Sequence, residues 1–505
     1  MKFNEVVKGK NQVVNYENAP AYQLPTEWEL YTSVVTSSLN DQFYQKTSER
    51  IVKLRQLIQA SDPEFVARIA IYAREKFYLR SVPLVLAVEL AKLHSGDRLV
   101  RQMVARIIQR ADEITELLAY YQIANQRQGF KKLKLISKQL QAGLQIAFNK
   151  FDEYQFAKYN QKTEIRLRDA LFLVHPKAKN ETQQLIFNKI VRDELQTPYT
   201  WETELSALGQ VKYQSEKDKA KAFTCKWEEL IDSGKVGYMA LLRNLRNILE
   251  AKVSVKHFNQ VCETISAKEK VIYSKQLPFR FLAAYRELSS VCSGYTSKLM
   301  DALEAAVCVS AANIAGFNES TKLLIACDVS RSMQESISPN SKIMYYDIGL
   351  MLGMLFKSRC KNVVTGIFGE TWKIVNLPNS GVLSNVDAFY KREGEVGYAT
   401  NGYLVIQDLI DKREVMDKIM IFTDCQLWNS RGGSTTMSDV WKKYKTIEPN
   451  AKLYLFDLAG HGTTPLDISH KDVYLIAGWS DKIFDILQAI ENGSNALKEI
   501  KAIQI

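Results

Sequence analysis

The sequence predicts a multidomain chain: an all-α array of helix pairs followed by an α/β domain on a largely parallel sheet. Three observations carry this. With 505 residues, the chain is too long for one core and calls for two or three domains. Up to Phe317 apolar residues recur at helical spacing with little strand-like alternation. From about Thr321 short apolar runs alternate with helical stretches, the pattern of strands covered on both faces by helices. The composition, 46% hydrophobic, allows full globular folding.

In the first part, Phe65 to Phe77 carries a stripe at Phe65, Ile69, Ala70 and Ala73, preceded by Ser61-Asp62-Pro63-Glu64, a helix-start signal. Helices are predicted over Val82 to Leu93, Leu99 to Gln122, Lys131 to Ala147, Thr182 to Leu195, Tyr238 to Glu250 and Phe279 to Leu288. Gly209 to Ala222 is polar and Lys-rich and is expected to loop out. No strict repeat period is visible, so stacked antiparallel pairs form an irregular HEAT-like array. In the second part, strands are predicted at Lys322 to Cys327, Asn362 to Phe368, Lys418 to Phe422, Lys452 to Asp457 and Val473 to Ala477. Helices are predicted at Met344 to Phe356, Leu404 to Ile410, Val440 to Tyr444 and Asp481 to Ile490.

Seven scattered cysteines, with no C-x-x-C pair, fit reduced thiols. The start of the chain lacks an apolar run and no stretch reaches the length of a membrane span. A soluble, cytoplasmic protein with no membrane partner is therefore expected. The net charge of +11 is unevenly spread: Met1 to Phe317 holds 46 Lys+Arg against 34 Asp+Glu, and Asn318 to Ile505 holds 21 against 22. Confining the excess to the first part suggests a polyanionic partner, although a solvated Lys-rich helical surface gives the same count.

Asp328-Val329-Ser330-Arg331-Ser332 follows the apolar run Leu323 to Cys327, so three oxygen-bearing side chains cluster where a buried strand ends. This D-x-S-x-S pattern is similar to the first segment of the metal-ion-dependent adhesion site of von Willebrand factor A domains. Asp424 closes a second apolar strand, and Thr400 sits in a turn between them. Asp328, Ser330, Ser332, Thr400 and Asp424 thus make a candidate hard-oxygen set for a divalent cation, Mg²⁺ above others. An ordinary strand-to-helix turn with Ser332 as a cap is the alternative. The long cation Arg331 stands where this motif more often has a small residue. A D-x-D phosphoryl-transfer loop, a G-x-S-x-G elbow and H-E-x-x-H are all missing from the sequence.

Six cations, Lys158, Lys162, Arg166, Arg168, Lys177 and Lys179, fall in one stretch against Glu164 and Asp169, with His175 among them. They can neutralise phosphates, and His175 can stack on or hydrogen-bond a base. A solvated face is again the plain alternative. Within the stretch, Arg168-Asp169-Ala170-Leu171-Phe172-Leu173-Val174-His175-Pro176-Lys177 resembles the R-D-x-L-x-L-x-H-x-K segment of the TROVE family, the Ro autoantigen and its bacterial relatives. Arg80 to Ala91, Gly143 to Phe151, the A-L-L-R-N-L run at Ala240 to Leu245, and Gln276 to Phe281 are similar to further family segments in the same order.

This resemblance implies a HEAT-like ring, residues 20–317, closed by a von Willebrand factor A domain, residues 318–505. It implies a monomer of RNA quality control that acts by binding, not as an enzyme. Y-like noncoding RNA is expected on the outer basic surface, through Lys158, Lys162 and His175, with Arg166 beside them. Single-stranded ends of misfolded or structured RNAs are expected in a central hole, near Arg243 and Arg246, which lie i, i+3 and can equally be structural ion-pair partners. An exoribonuclease or other RNA-processing enzyme is a further expected partner. A protein-interaction scaffold using the metal site is the rival from another class, and a Mg²⁺-dependent hydrolase a third. The N-terminal 19 residues align with nothing in the family and are given no role.

Overall fold

A computed structural model describes residues 12–37, 47–125, 136–160, 164–276, 278–310, 320–337, 341–358, 360–378, 380–478 and 483–505. The chain divides into two compact units: residues 48–226 with 497–505, and residues 1–47 with 227–496. The change from helical to alternating pattern near residue 317 is thus not where compactness divides the chain.

The first unit is helical. Pro63–Glu75 starts where Asp62 accepts from the Phe65 N–H, with Pro63 in the first turn. Ser81–Leu93 follows. The single run expected over Leu99 to Gln122 is two helices, Leu99–Ile107 and Ala111–Ala124. The break at 108–110 is fixed by Glu113, whose carboxylate accepts from the N–H groups of Gln109 (2.8 Å) and Arg110 (3.1 Å). The same carboxylate, fully buried, takes a 2.7 Å hydrogen bond from the Arg74 guanidinium. Further helices are Lys138–Phe148, Glu153–Lys158, Leu167–Val174, Glu181–Arg192 and Trp201–Gly209. The loop expected over Gly209 to Ala222 ends early, because helix Glu216–Asp232 begins inside it. Lys-rich helical surface and polar loop look alike by composition.

In the second unit the helical part continues with Tyr238–Arg243 and Leu245–Glu250, then Val255–Ser266, Lys268–Ser274, Pro278–Ser289 and Thr296–Ser310. Tyr238 to Glu250 is therefore broken at Asn244, so Arg243 and Arg246 lie on two short helices and not on one. Among the described residues nine strands follow the chain order: β1 (Gln12–Val14), β2 (Pro20–Gln23), β3 (Lys322–Asp328), β4 (Asn362–Phe368), β5 (Trp372–Ile374), β6 (Lys418–Thr423), β7 (Lys452–Asp457), β8 (Thr463–Thr464) and β9 (Val473–Ala477). Six form a mixed sheet in the order β5-β4-β3-β6-β7-β9, parallel apart from the short antiparallel edge strand β5. The N-terminal hairpin β1–β2 pairs with β8 in a separate small sheet, an element the sequence pattern did not announce.

Alternate residues of the central strands face opposite layers. Leu324, Ala326, Ile419, Ile421, Leu453 and Leu455 pack with helices Tyr403–Lys412 and Met437–Tyr444. On the other face lies helix Tyr345–Lys357, drawn so close that a Cβ on Gly353 would sit 2.9 Å from Ile325 Cγ2. Its Asp347 is buried, caps the helix through the Met344 N–H, and receives both arms of Arg286 at 2.6 and 2.7 Å. Among the described residues no helix is long and apolar enough to cross a membrane.

Removing one partner of a buried ion pair leaves the other charge uncompensated. Glu113→Ala should therefore cost the first unit about 3–5 kcal/mol, read as a lowered urea midpoint; a change below about 1 kcal/mol would show that Arg74 finds water instead.

Candidate metal centre and basic surface

Strand order decides where the candidate metal donors meet. The connection from β3 to β4 runs through Tyr345–Lys357 on one face, and that from β6 to β7 runs through Met437–Tyr444 on the other. A crevice opens between adjacent strands whose connections diverge in this way, beyond their carboxyl ends. Asp328 is the last residue of β3 and Asp424 follows the last residue of β6. Both carboxylates are buried, at 0% and 2% exposure.

Asp328 Oδ1 accepts the Ser330 N–H at 2.9 Å, and its Oδ2 accepts the Thr423 hydroxyl at 2.7 Å. The Ser330 and Ser332 hydroxyls lie 3.3 Å apart. Asp424 Oδ1 accepts the Gln426 N–H at 3.0 Å, whereas Oδ2, equally enclosed, has no hydrogen-bond partner among the described residues. Cys425 makes the turn with a φ of 63°, unusual for a side chain with a Cβ. Thr400 donates to the Gln426 carbonyl at 3.1 Å. Its loop is pinned by the Asn401 N–H on Gly369 O (2.9 Å) and the Arg331 N–H on Tyr398 O (3.2 Å). A Cβ on Gly369 would lie 2.0 Å from the Gly397 carbonyl oxygen, so only glycine lets the two loops meet.

Burial, then the neighbouring Asp424 charge, raises the Asp328 carboxyl well above its ordinary range. Burial also raises Asp424, with Glu17 adding to the effect and the Ser332 hydroxyl opposing it. Two repelling carboxylates, an orphaned buried oxygen and adjacent hydroxyls form a hard-oxygen set that suits a small divalent cation. The five sequence-chosen residues are thus buried at the ends of the two strands and on the loop beside them. Thr423 and Gln426 were missed. Thr423 had a signal, a hydroxyl at the end of an apolar strand beside the second acid; Gln426 had none.

On the helical part, Lys158, Arg166, Arg168, His175, Lys177 and Lys179 are all exposed, and Lys162 lies outside the described residues. Lys158 ends helix Glu153–Lys158, with its ammonium 5.9 and 5.7 Å from the ring centres of Tyr154 and Tyr159. Arg166, Arg168 and His175 belong to helix Leu167–Val174 and its two ends. Arg168 lies 5.9 Å from the centre of the Phe172 ring; Phe172 and Tyr154 are large aromatics left exposed. His175 is held in the left-handed conformation (φ 49°), with its N–H on Leu171 O and its carbonyl accepting from Gln145.

Arg246 is neutralised by Glu250 (2.8 Å) and Glu287 (3.5 Å), which makes it the structural partner the sequence allowed. Arg243 differs. With Arg280, which lies over the Phe279 ring at 5.1 Å, it lines a cavity of about 410 Å³, and neither guanidinium has an ion pair among the described residues. Partial burial, then the Arg243 charge, holds Arg280 below its usual pKa. Arg280 was missed because it sits inside an apolar Pro-Phe-Arg-Phe run.

A family model, the TROVE domain, matches residues 13–226 and 191–293. The chain belongs to the TROVE family. Telomerase protein component 1 of Mus musculus is 25% identical over 331 residues, half of this chain, and that of Rattus norvegicus 26% over 348 residues, 53% of it. The chain spans about an eighth of these relatives' length, 12% and 13%. The crystal structure of the Deinococcus radiodurans RO (RSR) protein superposes with a TM-score of 0.59 at 15% identity, over 92% of this TROVE chain and all of that one. The fold is therefore Ro-like.

Relief of the carboxylate repulsion should be measurable. In EDTA, Asp424→Asn should raise the thermal midpoint, since it keeps the Gln426 contact and removes one of two buried like charges; a lowered midpoint would show that the pair does not repel.

Proposed function

We propose that this TROVE protein is a noncoding-RNA-binding protein of the Ro type, acting in RNA quality control by binding and not by catalysis. Y-like RNA binds the basic surface of Lys158, Lys162, Arg166 and His175, and single-stranded ends of misfolded or structured RNA are taken up in a central hole at Arg243, with Arg280 added to the assignment. The observation that supports this reading best is the pairing of exposed cations with exposed aromatics, Lys158 with Tyr154 and Arg168 with Phe172. Phosphate neutralisation combined with base stacking on aromatic side chains is how proteins hold unpaired RNA.

The α/β part is read as a von Willebrand factor A domain whose Asp328, Ser330, Ser332, Thr400 and Asp424 hold Mg²⁺. The ion would offset the two buried charges and fix the strand-end loops. Burial of all five donors, at most 6% exposed, weighs against the rival scaffold reading, in which a partner's carboxylate reaches the ion from outside.

Filter binding of a structured RNA with a single-stranded tail tests the reading. Lys158→Ala and Lys162→Ala should each weaken retention severalfold at moderate salt and flatten its salt dependence. His175→Gly should weaken retention while leaving the thermal midpoint equal or higher, because glycine accepts the left-handed backbone freely. Parent-like retention by all three variants would remove the assignment.

A further inference from the structure

Among the described residues, two arginines without an ion pair line one cleft. Arg243 closes helix Tyr238–Arg243, at the break where the Asn244 side chain donates back to Ala240 O at 2.8 Å. Arg280 stands in the first turn of helix Pro278–Ser289. Phe279 and Phe281 on either side of it are buried, at 4% and 0% exposure, whereas Arg280 itself is exposed. The two helices meet through the edge-on rings of Tyr238 and Phe281, 6.4 Å apart. The cavity of about 410 Å³ that both arginines line has an apolar wall of Met239, Leu242, Ala283 and Ala284. Its two carboxylates are engaged elsewhere. Glu250 is held by Arg246 at 2.8 Å, and Glu287 by Arg246 at 3.5 Å and by Lys342. The cleft therefore joins two guanidiniums that have no acid of their own to a surface on which a flat apolar group can lie.

We propose that this cleft binds a terminal phosphate monoester of single-stranded RNA, on Arg243 and Arg280, with the base of the end nucleotide against Met239, Ala283 and Ala284. Charge is the reason. An internal phosphodiester carries one negative charge, whereas a phosphate monoester carries about −1.5 to −2 near pH 7. Two guanidiniums with no carboxylate of their own match the monoester and exceed the diester. Each guanidinium can bind two phosphate oxygens at once, and only a monoester offers three that are free to accept. A cleft of this size takes one small molecule, hence one nucleotide and not a run of them. The inference rests on the RNA-binding reading above and deepens it. That reading puts a single-stranded end near Arg243; the charge of the cleft names the chemical group that ends the strand.

The test uses the full chain and one short single-stranded RNA of fixed sequence, made with hydroxyls at both ends, with a 3′-phosphate, or with a 5′-phosphate. Fluorescence anisotropy at fixed salt reads the affinities. The parent protein should bind one phosphorylated form about tenfold tighter than the hydroxyl form, and which form it is assigns the end. Arg280→Gln should abolish that preference and leave the thermal midpoint unchanged, because Arg280 is exposed and gives up no ion pair among the described residues. Arg280→Lys, which keeps the charge and loses the planar fork, should recover part of the preference. Lys158→Ala should weaken all three forms alike. Equal affinity of the parent protein for the three forms would overturn the phosphate site and leave RNA binding standing. A preference kept by both Arg243→Gln and Arg280→Gln would overturn its placement in this cleft. No binding of any form at low ionic strength would overturn the RNA reading with it.

Discussion

Two carboxylates that repel each other, Asp328 and Asp424, are held side by side out of water, and much of the surrounding architecture serves to keep them there. Their strands are neighbours because the connections after β3 and β6 leave toward opposite faces. Helix Tyr345–Lys357 can lie against the sheet beside them because Gly349 and Gly353 let it approach within side-chain contact of Phe422 and Ile325. Asp347 at the start of that helix takes both arms of Arg286, so helix Pro278–Ser289 is tied to the sheet within the same compact unit. Buried ion pairs of this kind fix geometry more than they add stability.

The excess positive charge follows a different logic. It lies outside the sheet region, on helices that also expose Tyr154 and Phe172. Salt bridges separate cations that hold the fold from those available to a ligand. Arg74, Arg80 and Arg246 are paired with carboxylates, whereas among the described residues Arg243 and Arg280 line their cavity with no ion pair of their own. That sorting is what turns a charge count into a candidate surface.

The fold was legible wherever one residue pattern determined one structure. Strands Asn362–Phe368, Lys452–Asp457 and Val473–Ala477 were read to the residue because buried strands are continuous apolar runs with polar ends. The breaks at 108–110 and at Asn244 escaped because each lies inside unbroken helical periodicity. The first is made by Glu113 reaching back to the preceding N–H groups, a contact that spacing alone does not reveal. Helix Glu216–Asp232 was mistaken for loop in its first turns because a helix exposed on most of its surface carries no apolar stripe. At the candidate metal centre, residues on strand ends announced themselves by following apolar runs. Gln426 and Arg280 did not, since their parts depend on which distant segments the fold brings together.

On the function proposed above, RNA lies on the helical part and not on the sheet domain. Ultraviolet crosslinking of the full chain to a tailed structured RNA, followed by mass spectrometry of the crosslinked peptides, tests it directly. Crosslinks should fall among residues 136–310, with Tyr154, Phe172 and His175 prominent. Crosslinks confined to residues 320–478, or none at low ionic strength, would contradict it.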